Sequence, residues 1–407
     1  MPVNLKLIQE SAIKPRPPVW WVWLVLLVAM LLGGMAEAIL SNMSRTEINS
    51  EAFWISALGL PSLYWLILLA LRVTWYKGLL ATAQGKDKER DRQLRREIQR
   101  GQRYLNVFGV SLHSALREPE DADGNKQWEA LQGRTKAFKT QPSWKSHEGV
   151  RHSRLPLANG ESADQLLSRG LRKTLEELSS VLSSLPHETP VSLFLEINSS
   201  LPDSLVEKIW QEILAASEIR QCVTRIEGGG LSAVDRWLDD SRNEHSLLML
   251  IAVQLIPDQT EGSAESVVGL LLGGIPASPE LIPLARLHRP EMMHHTDAHD
   301  FQYALKQSMD RVPVAADKVK NGFLVGVNPA WHMAIASGLQ AIQSPVNAGQ
   351  DLHDLGNTLG YPGPAAPWVA IICAVESCLR SDSQLIVSGD NRENTPLWVT
   401  MVTPAQK

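Results

Sequence analysis

Two long apolar runs near the N-terminus restrict the fold of this chain more than any other feature. Val19–Leu40 contains one charge, Glu37, and Phe53–Tyr76 contains one charge, Arg72. Because an α-helix rises about 1.5 Å per residue, each run is long enough to cross a hydrocarbon core of about 30 Å. We therefore expect two transmembrane helices, joined as a hairpin by the polar segment Ser41–Ala52.

Tryptophan supports a membrane location for these runs, because its amphipathic ring favours the interface between lipid and water. Six of the 13 tryptophans lie in the two runs: Trp20, Trp21, Trp23, Trp54, Trp65 and Trp75. A cleaved signal peptide is the alternative for the first run. The second apolar run and the lack of a clear small-residue cleavage site disfavour it.

Basic residues predict the orientation of the hairpin. Three precede the first run, nine lie within Lys77–Arg103, and the intervening turn has only Arg45. The positive-inside rule then places both chain ends in the cytoplasm. We expect a multi-pass protein of a bacterial inner membrane, with its soluble domain cytoplasmic.

The rest of the composition agrees with that location. Three cysteines, Cys222, Cys373 and Cys378, form no disulfide framework, which fits a reducing compartment. The net charge of −5 does not favour binding to nucleic acid.

The chain is predicted to have four parts. Residues 1–18 form a cytoplasmic segment, 19–76 the two transmembrane helices, 77–103 a charged juxtamembrane helix and 104–407 the soluble domain. Within the third part, Gln84–Arg103 mixes charges of both signs at helical spacing, which is typical of a solvated helix. Its basic residues also fit a collar on anionic lipid headgroups.

The soluble domain alternates predicted strands and helices, which indicates an α/β fold with an internal sheet. Strands are predicted after Tyr104 and at Thr189–Ile197, Gln221–Ile226, Leu247–Leu255, Ser266–Leu272, Gly322–Val327, Ser383–Ser388 and Leu397–Val402. Helices are predicted at Ala163–Leu185, Ser204–Ser217, Leu231–Leu238, Asp300–Asp310, Ala330–Ile342 and Pro367–Leu379. Residues from Gly124 to about Gly160 show no regular pattern.

The segment Leu352–Ser377 resembles the thiolase-like superfamily of condensing enzymes, which includes the ketosynthases. It has a Gly-Asn turn at Gly356-Asn357, then small residues from Gly360 to Ala366, then an alanine-rich helix. Small residues let a helix N-terminus approach a central strand. The resemblance covers roughly residues 165–405 and implies a thiolase-like, layered αβαβα domain.

The chemistry of that superfamily needs a cysteine thiolate at a helix N-terminus. This chain has Gly228–Ser232 at the matching place, Cys222 lies too early, and the other two cysteines fall inside a helix. The resemblance therefore implies a degenerate member. His332 and Asn357 are candidate remnants of its catalytic residues. Loop positions Gly230, Ser232, Gly356 and Gly360 are candidate binding residues.

We therefore expect no enzyme activity. The prediction is a non-catalytic, membrane-anchored accessory or scaffold protein of a larger assembly, such as a type VI-like secretion system. Its expected partners are other membrane-associated protein subunits, the lipid bilayer and a second copy of the chain, with no cofactor. The alternative is a membrane-bound enzyme of the ketosynthase type that transfers or binds acyl groups.

A third hypothesis concerns the polar segment Glu291–Asp300. It contains His294, His295 and His299, and histidines four or five residues apart on one helix are able to share a metal ion. The competing interpretation, a polar surface loop between helices, needs no metal. We favour it because zinc sites need further ligands and supporting hydrogen bonds.

Overall fold

The computed structural model describes residues 10–42, 50–145, 148–158, 160–274, 281–314, 316–380 and 382–405. The chain divides into two compact units, Asn4–Glu97 and Ile98–Lys407. Most of the turn between the apolar runs, with Arg45 and Glu47, lies outside the described residues.

The N-terminal unit is built from helices. Helix α1 spans Trp20–Asn42, α2 spans Ser50–Trp54, a π-helical turn follows at Ile55–Gly59, and α3 spans Leu60–Gly101. Two of these helices are long and apolar enough to cross a membrane.

Helix α1 packs against the start of the second apolar helix. The indole Nε1 of Trp65 donates a hydrogen bond to the carbonyl of Trp23 at 2.8 Å. A Cβ on Gly34 would lie 2.3 Å from the Pro61 ring and 2.8 Å from the carbonyl oxygen of Ala57, so α1 approaches the neighbouring backbone closely there. Small residues at such a crossing are typical of membrane helix pairs. The described part of the hairpin therefore packs as a pair.

The C-terminal unit alternates strands and helices. Its strands are β1 (Tyr104–His113), β2 (Lys139–Pro142), β3 (Gly149–His152), β4 (Val191–Ser199), β5 (Val223–Arg225), β6 (Leu247–Leu255), β7 (Ser266–Gly273), β8 (Ala285–His288), β9 (Glu291–Met292), β10 (Val319–Val325), β11 (Leu352–Asp354), β12 (Ser383–Ser388) and β13 (Trp398–Pro404). Its helices are α4 (Asn125–Gln132), α5 (Ala163–Leu182), α6 (Asp203–Ala216), α7 (Gly230–Asp239), α8 (Ala298–Arg311), α9 (His332–Ala341), α10 (Leu355–Thr358) and α11 (Ala366–Cys378).

The main sheet has the order β11-β10-β12-β13-β8-β1-β7-β6-β4-β5. We call β1 to β7 the N-terminal half and β8 to β13 the C-terminal half. Leaving aside β9 and the separate β2–β3 hairpin, each half contributes five strands in the spatial order third, second, fourth, fifth, first. The two halves meet where β1 pairs antiparallel with β8 over four residue pairs, from Tyr104↔His288 to Val107↔Ala285. The domain therefore contains an internal structural repeat of two halves.

Three hydrophobic clusters define the layers of the domain. One packs α5 and α6 against a face of the N-terminal half. Another packs α8 and α9 against a face of the C-terminal half. The third joins α7 and α11 to the remaining faces of both halves. The order is therefore helix, sheet, helix, sheet, helix, as the resemblance implies.

Three parts of the sequence behave differently from the prediction. The segment expected to be irregular contains α4 and the β2–β3 hairpin. The short strands β8, β9 and β11 were not predicted, because two to four residues are too few to show a periodicity. Glu291–Asp300 connects β9 to α8, so it is not a loop between two helices.

Candidate functional site

Helix α7 begins at Gly230, at the place where the resemblance predicts the nucleophile of a condensing enzyme. Gly230 has a φ of +51°, in the left-handed region that favours glycine. Its N–H donates to the Oε2 of Glu196, on β4, at 3.4 Å. Burial raises the pKa of Glu196, and the Gly230 N–H opposes that shift. A carboxyl group therefore faces the helix N-terminus from the neighbouring strand.

Among the described residues, no cysteine lies at this helix start. The hydroxyl of Ser232 donates to the carbonyl of Gly229 at 2.6 Å, so it is bonded to its own helix. Cys222 is exposed and precedes β5. Cys373 and Cys378 lie inside α11, and burial raises the pKa of each thiol to about 12.

The Gly-Asn turn forms the short helix α10, which Asp354 caps. The Oδ1 of Asp354 accepts the N–H of Gly356 at 2.9 Å and that of Asn357 at 3.4 Å. Its Oδ2 accepts the Asn357 side-chain amide at 2.6 Å. Burial raises the pKa of Asp354, and these hydrogen bonds oppose the shift. Gly356 therefore serves the turn itself.

Gly360 allows a close approach between two loops. Its φ is +99°, and a Cβ there would lie 2.6 Å from the carbonyl oxygen of Ser263. The neighbouring Gly363 has a φ of +53°, and a Cβ there would overlap the side-chain oxygen of Gln254. These glycines hold the loop before α11 against the end of β6.

His332 and Asn357 line one cavity of about 480 Å³, which we call the β11 cavity. It lies between α9, β11, α10 and the segment after α4. Its apolar lining residues are Leu131, Leu324, Met333, Ile335, Ala336, Ala348, Leu352 and Leu355, and its polar or charged ones are Arg134, Lys136, His332, His353, Asp354, Asn357 and Thr358, with Gly349 completing it. Arg134 and Lys136 were not predicted as site residues, because nothing in their local pattern marks them.

A second, polar cavity of about 470 Å³ lies at the carboxyl ends of β4, β6 and β12. Asn198, Gln254, Tyr361, Asp390 and Arg392 are among its lining residues. Burial, aided by the Asp390 carboxylate, raises the pKa of Tyr361 to about 12. Its phenol therefore stays protonated at neutral pH and acts as a hydrogen-bond donor or acceptor.

The histidine segment before α8 is a helix-capping structure. Asp300 accepts the backbone N–H groups of His294 and His295 at 2.6 and 2.7 Å. Asp297 accepts the N–H of Asp300 at 2.7 Å. His299 lies in the first turn of α8, whereas His294 and His295 precede the helix, so the expected shared helix face does not exist. Among the described residues no group of three His, Cys, Asp or Glu side chains is arranged for a metal ion.

Comparison with solved structures identifies the architecture. The ketosynthase bound to an acyl-carrier protein in the type II PKS complex AntDE:AntF superposes with a TM-score of 0.52 at 8% identity, over 74% of this chain and 99% of that one. The PfaC ketosynthase–chain length factor gives 0.50 at 10%, over 75% and 43%. The domain has a thiolase-like fold.

A third similar structure is the 3-oxoacyl-(acyl carrier protein) synthase III of Xanthomonas oryzae. It matches at 9% identity with a TM-score of 0.45, over 74% of this chain and 99% of that one. No family model and no curated protein sequence matches the chain. At such low identities the thiolase-like likeness establishes the fold alone.

Proposed function

We propose that this chain is a non-catalytic, membrane-anchored accessory or scaffold protein with a degenerate condensing-enzyme fold. The observation that carries the proposal is the start of α7. The sequence there has Gly230, Leu231 and Ser232 and no cysteine, and the Glu196 carboxyl accepts the Gly230 N–H.

The electrostatics of this helix start support the loss of condensing chemistry. A helix N-terminus lowers the pKa of a thiol because its free N–H groups stabilise the thiolate. A carboxylate at the same place competes for those groups and repels a second anion. The Glu196 position is therefore unfavourable for a nucleophilic thiolate.

The proposal extends to location and partners. Lys and Arg residues precede the first apolar helix and follow the second. The protein is therefore proposed to lie in a bacterial inner membrane with its thiolase-like domain in the cytoplasm. Its proposed partners are other membrane-associated subunits, with a type VI-like secretion assembly as one candidate. The short edge strand β5, Val223–Arg225, offers a place where a second copy could pair.

Acylation tests the catalytic part of the proposal. Purified full-length protein is incubated with octanoyl-CoA, and thiol release and the mass of the intact chain are followed. We expect no turnover and no acyl adduct on any cysteine. Turnover that disappears in both His332→Ala and Asn357→Ala would overturn the proposal.

Co-purification tests the scaffold part. The full-length chain is extracted in mild detergent beside a hairpin-only chain, residues 1–97, which controls for association through the membrane helices. We expect a fixed set of membrane-associated subunits with the full-length chain alone. Recovery of the full-length chain without partners would contradict the scaffold function.

One observation favours the acyl-group enzyme as a second candidate. His332 and Asn357 line the same cavity, beside the apolar side chains of Leu324 and Ile335. Such an enzyme needs a nucleophile other than a cysteine at α7. The acylation experiment separates the two functions directly.

A further inference from the structure

The proposed scaffold function does not use the β11 cavity. Its lining nevertheless combines charged residues with a group of apolar side chains. A volume of about 480 Å³ lies within the range of small-molecule sites. We propose that the β11 cavity binds an amphipathic organic anion, a carboxylate or phosphate group attached to a short apolar chain. This goes beyond the proposed function, because binding of such a ligand needs no catalysis and no protein partner.

The cations at the rim come from the segment after α4. Arg134 has a φ of +53°, an uncommon conformation for a residue other than glycine, and two hydrogen bonds hold its side chain. Its Nε donates to His353 at 3.2 Å, and its Nη2 donates to the carbonyl of Gln350 at 2.6 Å. The guanidinium is thus fixed over the cavity with its charge uncompensated by a carboxylate in these bonds.

Lys136 adds a second cation. It lines the cavity, its side chain is exposed, and no carboxylate pairs with it among the described residues. An ammonium group and a positioned guanidinium are suited to bind an anionic headgroup.

His353 is a neutral member of the lining. Its Nε2 accepts from Arg134, so the ring proton is assigned to Nδ1. Burial lowers the pKa of His353, and the nearby Arg134 lowers it further. The imidazole therefore stays neutral at pH 7 and adds no charge to the cavity.

Asp354, the acidic residue that lines the cavity, is already hydrogen-bonded within its own turn. Asp354 uses both carboxylate oxygens on the backbone and side-chain N–H groups of Gly356 and Asn357. With Arg134 and Lys136 opposite one carboxylate, the charged groups of the lining carry a net positive charge. This balance favours an anion over a cation.

The floor of the cavity fits an apolar chain. Leu131, Leu352, Leu355 and Ile335 are buried core residues that also form part of its wall, and Leu324 lies beside them. Apolar surface of this kind is stabilised when a hydrocarbon chain replaces water. The ligand is therefore expected to point its headgroup at Arg134 and Lys136 and its chain at these side chains.

Photolabelling of the full-length protein in detergent tests the proposal. The probe is octanoate carrying a diazirine on its chain, and labelled peptides are mapped by mass spectrometry. We expect label on α9 and on Leu352–Thr358, with octanoate or octyl phosphate competing and octylamine not competing. The more effective of the two anionic competitors identifies the preferred headgroup.

Paired variants show whether the cations carry the effect. Arg134→Gln combined with Lys136→Gln is expected to reduce labelling at these sites about tenfold. The matched control is Lys208→Gln, an exposed lysine on α6, which should label as the parent does. Thermal unfolding of each variant confirms that it is folded.

Three outcomes would overturn the proposal: label confined to α1 and α3, equal competition by octylamine, or labelling unchanged in the double variant. None of them bears on acyl transfer from octanoyl-CoA or on co-purified subunits. A failure here is therefore distinguishable from a failure of the scaffold function.

Discussion

The two halves of the thiolase-like domain place a central helix at the same point of the repeat, but they begin it in opposite ways. Gly230, the first residue of α7, has a φ of +51°, and Gly363, three residues before α11 begins, has a φ of +53°. A Cβ on Gly230 meets open space, whereas one on Gly363 would overlap Gln254. The left-handed glycine therefore faces open space in the N-terminal half and is tightly packed in the C-terminal half.

Helices α7 and α11 also differ in the contacts that hold them in place. Helix α11 is buried nearly throughout, and its Trp368 packs edge-on against Phe194, with ring centroids 6.2 Å apart. Helix α7 carries Asp235 and Asp239, which pair with Arg289 at 2.7 and 2.8 Å. The C-terminal half contributes an apolar centre, and the N-terminal half holds its helix partly through charges.

Removal of Arg289 should have the largest effect on stability, because this arginine pairs with both acidic residues of α7. Its side chain is 1% exposed and that of Asp235 is 3% exposed, so Arg289→Leu removes the buried positive charge that pairs with this carboxylate. We expect a loss of about 3–5 kcal/mol in the free energy of unfolding, measured by denaturant titration of the full-length protein.

Arg242→Leu is the control for that change. Arg242 pairs with Asp240 at 2.7 Å, but its side chain is 87% exposed. Its loss should cost far less than the loss of Arg289, because solvent screens an exposed ion pair. Equal effects of the two substitutions would contradict the view that charges buried under α7 hold that helix in place.

The two glycines provide a matched pair. Gly230→Ala should cost about 1–2 kcal/mol, because alanine is strained in the left-handed region. Gly363→Ala adds displacement of Gln254, and overpacking of this kind costs about 1–3 kcal/mol more. Denaturant unfolding of both variants measures the difference. A larger loss for Gly230→Ala would show that the start of α7 is more tightly packed than the structure indicates.

Glu196→Gln is expected to have the smallest effect, and its sign depends on pH. Because burial raises the folded-state pKa of Glu196, the stability linked to its protonated form is present at low pH. That stability is lost as the pH rises through the raised pKa. Glutamine does not titrate, so the variant should match the parent near pH 4 and exceed it at pH 8.

Thermal unfolding across this pH range measures the effect. A variant less stable than the parent at pH 8 would mean that the bond from the Gly230 N–H to the carboxylate outweighs the burial of Glu196. The N-terminal half would then resemble its counterpart more closely than we infer.

Local pattern predicted the elements whose burial is one-sided or complete. The strands Leu247–Leu255 and Ser383–Ser388 have the predicted bounds, since uninterrupted apolar runs end sharply at polar turns. Helix α11 is buried because it is apolar all round. Short strands such as β8 escaped prediction because tertiary pairing, and not local periodicity, defines them.

The residues of the candidate site were harder to predict from the sequence than the strands and helices. Asn357 and His332 came from the resemblance, and the structure places them on one cavity. Arg134 reaches that cavity from 219 positions before His353 along the chain, so only the fold brings the two together. Glu196 did leave a signal, as the one charge in an apolar strand, but its partner Gly230 lies on another element.

The shared middle layer has a consequence for synthesis. The N-terminal half leaves the ribosome first, and the face of its sheet that meets α7 and α11 is incomplete until the last helix has emerged. A nascent chain in that state exposes apolar surface, which favours aggregation and recruitment of chaperones. The internal repeat therefore makes the two halves depend on each other for folding, although each has its own complete set of strands.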